Sequence, residues 1–573
     1  MRKLFWWIGI IIGIVLIFII IIYFVFSALL NNEPYIANDS YIEYNLWGSL
    51  PEYNASDALE EYFSGSVLDM IKIRRTLKMA AVDDRIQGII LNIGFLQGGF
   101  AKIEEIREML NEFKTSGKKV FAHLDIATTR DYLLASCCDS VYLQPGGTII
   151  LTGLSAEVTF YKGLLNKVGI DADFEHVGKY KSYPEAYTRQ EMSEPQREVI
   201  NDILDNRYKY IISTIAANRN ISEDRVDYLI NNITGFTGDE ARKMGLVDGL
   251  RFKNGLSGIL TKDAGELSKV SALDYSNIHP KDLGLEKGPR FAVIFCSGTI
   301  TGGEDGNDPI FGSTLGADRV IRNIESATRN KSIKAIILRI DSPGGSGIDS
   351  EKIWKAVIEA AKEKPVIASI SDLGASGGYY IAVGADTIIA ESTSLIGSIG
   401  VFIGKFSLDN LYHKLGINVE AIQRGKNARI FSLVKTFSPD ERAVVRKLIT
   451  DSYDDFVNRV AENRKKSTEE IDRIAQGRVW TGEEGAELGL VDTLGGLNVA
   501  INLAKKKADI ASDVDVHMIL YPKRKSFLNS IFRYITLLQK SPFPLEEISR
   551  LEQRIASIQS RVLAIMPFKI NFN

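Results

Sequence analysis

A serine flanked by small residues is the first candidate for chemistry in this chain. Ser376 lies in the stretch Gly374-Ala375-Ser376-Gly377-Gly378, after an apolar run typical of a buried strand (Val366 to Ile370) and before a run typical of a helix. Glycine on both sides allows a sharp turn and leaves the hydroxyl uncrowded. The pattern predicts a nucleophile, although a serine that opens a helix is also a common N-cap.

A glycine-rich turn precedes the serine by one predicted strand. The segment Asp341-Ser342-Pro343-Gly344-Gly345 follows an apolar run that ends at Ile340. Backbone N–H groups at such a turn can stabilise a developing oxyanion, but the same residues also make an ordinary strand-to-helix connection. Because this turn and Ser376 follow consecutive strands, we expect them to lie side by side, as acyl transfer requires.

A serine nucleophile needs a base, and the five scattered histidines offer neither a triad partner nor metal-ligand spacing. The stretch Gly178-Lys179-Tyr180-Lys181-Ser182 offers Lys181 instead. A free lysine is neutral at pH 7 in only about one molecule in 10³, so a basic Lys181 must be buried, which lowers its pKa. The alternative is a surface lysine beside Lys179.

An internal repeat runs through most of the chain. The run Gln87–Ile93 reappears as Lys334–Ile340, and Thr237-Gly238-Asp239-Glu240 reappears as Thr481-Gly482-Glu483-Glu484. Each pair of apolar strands is followed by helical segments, an alternation that predicts an α/β fold with helices packed over sheets. The match covers two units, at about 40–280 and 285–510.

The two units have diverged in opposite directions at the candidate residues. The counterpart of Ser376 in the first unit is near Thr129, and the counterpart of Lys181 in the second unit is Ala428. Neither unit holds a full set, whereas together they hold one. We therefore expect a buried Lys181 to touch Ser376 across the two units, with Ser398 of Gly397-Ser398-Ile399-Gly400 as a further hydroxyl beside the lysine.

The N-terminus predicts a membrane anchor. Met1-Arg2-Lys3 precedes an uncharged apolar run from Leu4 to Leu30, which is longer than the roughly 30 Å of a bilayer core requires and longer than a signal-peptide apolar region. Arg2 and Lys3 favour a cytoplasmic N-terminus, so the rest of the chain is expected on the other side of the membrane.

The remaining composition excludes several classes. A net charge of −3 without basic blocks gives no nucleic-acid footprint. Three cysteines, Cys137, Cys138 and Cys296, cannot build a disulfide framework, and no cofactor motif is present. We divide the chain into an anchor and linker (1–38), a first repeat (39–284), a second repeat (285–510) and an amphipathic tail (511–573). In the tail, the apolar residues from Leu545 to Met566 have helical spacing, which fits a partner helix, a surface lying on the membrane or an ordinary helix that covers a core.

Together, these motifs resemble the long, duplicated type of the signal peptide peptidase A (protease IV) family, serine proteases that share the Clp protease and crotonase-like fold. The resemblance implies tandem crotonase-like domains behind one N-terminal transmembrane helix. It also implies a Ser/Lys dyad in which Ser376 is the nucleophile and Lys181 the general base. Ser398 would orient the lysine, and the N–H groups of Gly345 and Gly377 would form the oxyanion hole.

The same resemblance implies a protein of the bacterial inner membrane, with its catalytic domains outside the cytoplasm. It implies a homotetrameric bowl that hydrolyses cleaved signal peptides and other extended apolar peptides without a cofactor or a metal. Two alternatives stay open at this point. One is a crotonase-like acyl-CoA enzyme, which would want acidic residues at the site, and the other is a non-catalytic membrane scaffold.

Overall fold

The computed structural model describes residues 34–55, 61, 65–260, 267–308, 312–524 and 563–566, together with residues 6, 7 and 13. The predicted anchor, Leu4 to Leu30, therefore lies outside the described residues except at those last three positions. Among the residues that are described, none of the helices combines the length and the apolar character needed to cross a membrane.

The strands lie in three sheets. In chain order they are β1 (Ser40–Gly48), β2 (Ile86–Leu96), β3 (Lys119–Thr128), β4 (Ser140–Ile150), β5 (Asp171–Val177), β6 (Gly235–Thr237), β7 (Gly249–Leu250), β8 (Ser268–Ser271), β9 (Arg290–Ser297), β10 (Thr299–Thr301), β11 (Gly306–Asp308), β12 (Gly312–Gly316), β13 (Ile333–Ser342), β14 (Gly344–Ser346), β15 (Val366–Ala375), β16 (Thr387–Ala390), β17 (Leu395–Gly397), β18 (Val401–Ser407), β19 (Val479–Thr481), β20 (Thr493–Leu494), β21 (His517–Tyr521) and β22 (Leu563–Ile565).

Helices alternate with these strands along most of the chain. They are α1 (Met70–Val82), α2 (Phe100–Lys114), α3 (Thr129–Ala135), α4 (Lys162–Val168), α5 (Glu185–Thr188), α6 (Glu194–Arg219), α7 (Glu223–Asn232), α8 (Gly238–Lys243), α9 (Ser257–Leu260), α10 (Ala272–Tyr275), α11 (Ala317–Arg329), α12 (Gly347–Ala361), α13 (Gly377–Ala382), α14 (Asp409–Lys414), α15 (Pro439–Arg464), α16 (Thr468–Ile474), α17 (Gly482–Glu487) and α18 (Leu497–Lys507). The mixed α/β architecture predicted from the alternation is confirmed.

The first repeat is built on one sheet with the strand order β6-β4-β3-β2-β1-β8, and β7 pairs with β4. The strands β1 to β4 run parallel to one another, and β6 pairs antiparallel with β4. Ile89, Ile90 and Leu91 in β2 are all buried, because other parts of the chain cover both faces of the sheet. A central parallel strand of this kind reads as a continuous apolar run, the pattern seen in the sequence.

The second repeat has a sheet of the order β19-β17-β15-β13-β9-β21, with β16 beside β15. Its central strands β13 and β15 are parallel neighbours. Their carboxyl ends therefore meet at one edge, which brings the glycine turn after β13 to the serine after β15. The helices predicted after these strands are present as α12 and α13.

A third sheet joins the two repeats, with the order β11-β12-β10-β14-β22-β18-β5. The first repeat contributes β5, which pairs antiparallel with β18 of the second repeat from Asp171↔Ser407 to Val177↔Val401. A strand of one unit thus completes a sheet of the other. The pairing brings the segment after β5 to the second repeat.

The region assigned to an amphipathic tail contributes two strands. The strand β21 pairs parallel with β9 at the edge of the second repeat's sheet, so this part of the tail belongs to that unit's core. The helical spacing from Leu545 to Met566 predicts a helix, but Leu563–Ile565 within that range form the strand β22. Residues 525–562 and 567–573 lie outside the described part of the chain.

Candidate active site

Ser376 lies where β15 ends and α13 begins. Its backbone has φ 55° and ψ −116°, and its amide donates to the carbonyl of Gly397 at 2.7 Å. A positive φ is costly for a residue with a Cβ and persists only where the surroundings enforce it. Such a turn between a strand and a helix holds a serine hydroxyl at the tip of a sheet, as in nucleophile elbows of hydrolases.

Lys181 reaches the second repeat through the β5–β18 pairing. The amide of Tyr180 donates to the carbonyl of Gln476 at 2.7 Å, which fixes the backbone just before Lys181. Gly477 makes this approach feasible, because a Cβ at that position would lie 2.5 Å from the amide nitrogen of Lys181. A loop of the second repeat therefore receives the lysine of the first.

The two candidate residues are in contact. Lys181 Nζ lies 2.7 Å from Ser376 Oγ, and both residues are fully buried. The same nitrogen lies 2.9 Å from the hydroxyl of Ser398 and 2.9 Å from its carbonyl oxygen. The contact expected from the divided repeat is thus present, and Ser398 stands beside the lysine as expected.

Burial sets the charge of Lys181. Removal from water lowers the pKa of Lys181 well below its ordinary value, because it penalises the ammonium form. Its neighbours are two hydroxyls and a carbonyl, and none of them is a carboxylate that would favour the charge. A neutral amine in contact with a serine hydroxyl can accept its proton near neutral pH.

The glycine turn lies against the serine. A Cβ on Gly344 would be 2.7 Å from the amide nitrogen of Gly377, so only glycine allows the two turns to approach this closely. Gly377 is the first residue of α13, so its N–H group has no acceptor within the helix. Gly345 lies one residue further on, packed on the backbone of Ile300.

A groove beside Ser376 accepts an extended chain. The strand β22, from the end of this same chain, lies between β14 and β18 and pairs antiparallel with both. The amide of Met566 donates to the carbonyl of Pro343 at 2.6 Å. The Met566 side chain joins an apolar cluster of Val199, Ile200, Ile203, Ala375, Leu395 and Val479. The edges of β14 and β18 thus bind backbone, and an apolar pocket beside them binds side chains.

Each repeat has a different residue at the position that corresponds to the candidate residue of the other repeat. Thr129 stands at the start of α3, where Thr128 and Asp131 form a capping box, and its hydroxyl donates to the carbonyl of Thr152 at 2.7 Å. Ala428 lies in an exposed turn. The described structure therefore has one such serine–lysine contact for the two repeats.

Sequence reasoning missed a charged cluster next to the site. Lys102 of α2 contacts Asp341 and Asp372, which lie in the two strands that lead to the glycine turn and to Ser376. Asp341 belongs to the Asp-Ser-Pro-Gly-Gly turn, but its partner Lys102 is more than two hundred residues away in the chain. No local sequence pattern connects the two residues. Within the described part of the chain, no group of three or more His, Cys, Asp and Glu side chains could hold a metal ion.

Comparisons with known proteins agree on one family. The model of peptidase family S49 matches residues 112–265 and 358–511, one match in each repeat. The chain is 34% identical over 471 residues to "Serine protease SPPA, chloroplastic" of Arabidopsis thaliana, covering 81% of this chain and 69% of that protein. It is 33% identical to "Protease 4" of Salmonella typhi, covering 84% and 77% of the two chains.

A further relative, "Protease 4" of Haemophilus influenzae, is 30% identical over 86% of this chain and 80% of its own length. Among solved structures, a point mutant of ClpP1 from Listeria monocytogenes overlaps 36% of this chain and 94% of its own, with 13% identity and a TM-score of 0.24. A structural likeness of that size supports no argument about the fold.

Proposed function

Because the chain belongs to peptidase family S49 and is a serine peptidase, we propose that Ser376 is its nucleophile and Lys181 its general base. The observation that carries this assignment is the 2.7 Å separation between Lys181 Nζ and Ser376 Oγ. Full burial of the amine, without a carboxylate partner, lowers its pKa and so favours the neutral form that a base needs. Family membership also favours a peptidase over an acyl-CoA enzyme and over a scaffold.

In the proposed reaction, Ser376 Oγ attacks the carbonyl carbon of the scissile peptide bond while Lys181 Nζ takes the hydroxyl proton. The N–H groups of Gly345 and Gly377 stabilise the negative charge that develops on the carbonyl oxygen. The protonated Lys181 then delivers its proton to the leaving amine, and an acyl-enzyme ester forms. Water attacks this ester with Lys181 again as base, which releases the acid and restores Ser376.

Ser398 is proposed to orient the lysine. Its hydroxyl and its carbonyl each lie 2.9 Å from Lys181 Nζ, so two of the nitrogen's three partners come from this one residue. With its hydrogens directed to Ser398, the neutral amine presents its lone pair to Ser376. Ser398 itself has φ 51°, in the left-handed region, a conformation that persists only where the surrounding structure enforces it.

Extended, apolar peptides are the proposed substrates, with cleaved signal peptides as the natural class. Support comes from the groove, where β14 and β18 pair with a strand and an apolar cluster receives the side chain of Met566. A folded protein cannot offer such a strand without unfolding, because both of the strand's edges are used in the groove.

We also propose tandem crotonase-like units that assemble as a homotetramer at the bacterial inner membrane, on the basis of the motif resemblance. Leu4 to Leu30 would anchor the chain, with the N-terminus in the cytoplasm and the catalytic units outside it. Protease protection of the full chain in inverted and right-side-out vesicles tests the orientation. Light scattering in detergent tests the tetramer.

The test of function is hydrolysis of a synthetic signal peptide by the full chain in detergent. We expect Ser376→Ala and Lys181→Ala each to lose about 10⁴-fold or more in kcat, as losses of nucleophile and base do in serine proteases. Ser326→Ala and Lys179→Ala, two exposed positions, are the matched controls. A fluorophosphonate should label the wild type at Ser376 only. Wild-type-like turnover in either active-site variant removes that residue from the reaction.

A further inference from the structure

A buried charged cluster lies between the two repeats, at the strands that lead to the candidate site. Its centre is the ammonium group of Lys102, in the first turn of α2 of the first repeat, and Lys102 is 7% exposed. Nζ lies 2.7 Å from Asp341 Oδ2, 3.3 Å from Asp372 Oδ2 and 3.6 Å from Glu52 Oε1. One positive charge therefore faces three carboxylates in a place from which water is largely excluded.

The two aspartates belong to the two strands that carry the proposed reaction. Asp341 lies near the end of β13, three residues before Gly344 of the glycine turn. Asp372 lies near the end of β15, four residues before Ser376. The ammonium of Lys102 thus bridges the strand that leads to the oxyanion donors and the strand that leads to the nucleophile.

The backbone pairing of these strands is irregular where Lys102 acts. The register runs evenly from Ile336↔Val366 to Ile340↔Ile370 and then resumes at Ser342↔Gly374. One residue of β13, Asp341, therefore faces three residues of β15. The regular ladder is therefore interrupted between Ile340 and Ser342, and the carboxylates that bind Lys102 belong to residues at this interruption.

The helix α2 adds a second grip on β15. The carboxylate of Asp372 accepts the backbone N–H of Gly99 at 3.0 Å and that of Lys102 at 3.3 Å. A Cβ on Gly99 would lie 2.1 Å from that carboxylate, so glycine is what allows the helix N-terminus to approach. These contacts fix the position of β15 relative to α2. Lys102 Nζ fixes β13 relative to the same helix.

The charges explain why the bridge is firm. Burial would lower the pKa of Lys102, but the carboxylates of Asp341, Asp372 and Glu52 outweigh it and raise that pKa above its ordinary value. Burial also raises the pKa of Asp341, with Asp372 and Glu52 adding to the rise. Without the ammonium, the carboxylates of the two strands repel each other in a medium of low polarity.

We propose that Lys102 is a positioning residue for peptide hydrolysis, which sets the distance between the glycine turn and Ser376 by holding Asp341 and Asp372 together across the irregular end of β13 and β15. The inference rests on the proposed roles of Ser376 and the turn. A displacement of about 1 Å between nucleophile and oxyanion donors costs on the order of 10²-fold in rate. Lys102 itself does not touch the reacting atoms.

The test uses a charge-balanced double variant, Lys102→Met with Asp341→Asn, in the full chain. Removal of Lys102 alone would leave buried carboxylates unpaired and risks unfolding. In the double variant, Asp372 keeps its two backbone donors, and Glu52 keeps Arg339, whose Nε lies 2.7 Å away. Lys114→Met, at the other end of α2, is the matched control, because that lysine binds the carbonyl of Cys137 within the first repeat.

We expect the double variant to melt within about 5 °C of the wild type, with kcat on the signal peptide reduced by more than tenfold and KM changed by less than threefold. The rate of fluorophosphonate labelling at Ser376 should fall by a similar factor, while the control keeps both rates. A smaller loss of kcat, or a loss that appears in KM, overturns the proposal. So does a double variant that does not fold, since the cluster would then serve folding rather than alignment.

The outcome separates this inference from the proposed function. If the wild type neither hydrolyses the peptide nor takes the label at Ser376, the proposed function itself fails. If the wild type does both and the double variant is equally active, only the role of Lys102 is lost.

Discussion

Replacement of Lys181 by methionine should abolish activity and yet stabilise the protein at neutral pH. Lys181 is fully buried, and burial lowers its pKa well below the ordinary value. The proposed role as a base requires the folded state to hold it as a neutral amine at pH 7. The unfolded chain holds it as an ammonium, with a pKa near 10.4. Keeping the amine neutral at pH 7 therefore costs the folded state about 5 kcal/mol, at about 1.4 kcal/mol per pH unit.

Methionine removes this cost but also removes favourable contacts. The hydroxyls of Ser376 and Ser398 lose their common partner, a loss we put at about 2 kcal/mol. The net gain at pH 7 is then about 3 kcal/mol, or roughly 6–12 °C in Tm for a unit of this size.

The sign of the pH dependence follows from the protons bound in each state. Between the lowered pKa of folded Lys181 and the ordinary lysine pKa, the unfolded state binds the additional proton, so wild-type stability rises with pH across that window. Methionine has no such dependence. The advantage of Lys181→Met should thus shrink by about 1.4 kcal/mol per pH unit and vanish near pH 9.

The assay is the difference in Tm between Lys181→Met and the wild type, measured by intrinsic fluorescence in detergent from pH 7 to pH 9.5. Lys179→Met, an exposed position two residues away, is the matched control and should show only a small difference in Tm. A Lys181→Met difference that is negative at pH 7, or constant over the range, would mean that folded Lys181 is charged. It could not then be the base, and the reasoning from burial would be wrong.

Three further predictions concern the groove and the parts around the dyad. Ser398→Ala should lower kcat on the signal peptide about 10- to 100-fold with little change in KM, because the amine loses one of the partners that orient it; an unchanged kcat would make Ser398 a packing residue. Gly345→Ala should lower kcat by about 10²-fold, since its Cβ would lie 2.1 Å from the carbonyl oxygen of Ile300 and the turn must shift; wild-type turnover would exclude the turn from oxyanion binding. A chain that ends after residue 560 lacks β22, a tethered strand that competes with the peptide for the groove at high effective concentration, so its kcat/KM for extended apolar peptides should rise on the order of tenfold. Unchanged kinetics would show that β22 leaves the groove freely.

The repeat made much of the fold, and the contact between Lys181 and Ser376, predictable. Buried parallel strands read as apolar runs, so β2 and β13 could be matched by sequence, and the elements around them followed. The contact of Lys181 with Ser376 could be expected because each residue lacks a counterpart in the other repeat. The signal was a difference between two copies of one pattern, which a single-copy chain would not have offered.

Other parts depend on partners far apart in the chain and carry no local signal. Nothing near Asp171–Val177 indicates that β5 completes a sheet of the second repeat, because any strand with a free edge satisfies the local pattern. The end of the chain shows the same limit. Its apolar spacing predicts a helix up to Met566, yet Leu563–Ile565 is a strand because the edges of β14 and β18 supply its hydrogen-bond partners. The Lys102 cluster likewise joins residues that only the folded chain brings together.

The division of the site between two repeats makes the chemistry depend on their packing. In the proposed reaction, Lys181 acts as base only while it is neutral, and the burial that lowers its pKa depends on the second repeat keeping water from it. Separation of β5 from β18 would hydrate the amine, let it take a proton at pH 7 and withdraw it from Ser376 in one step. Lys102 works in the same direction, since it aligns β13 and β15 only while α2 of the first repeat rests on them. In the proposed reaction, base and alignment both come from the first repeat, so we expect the nucleophile of the second repeat to be inactive in any state in which the two repeats are apart.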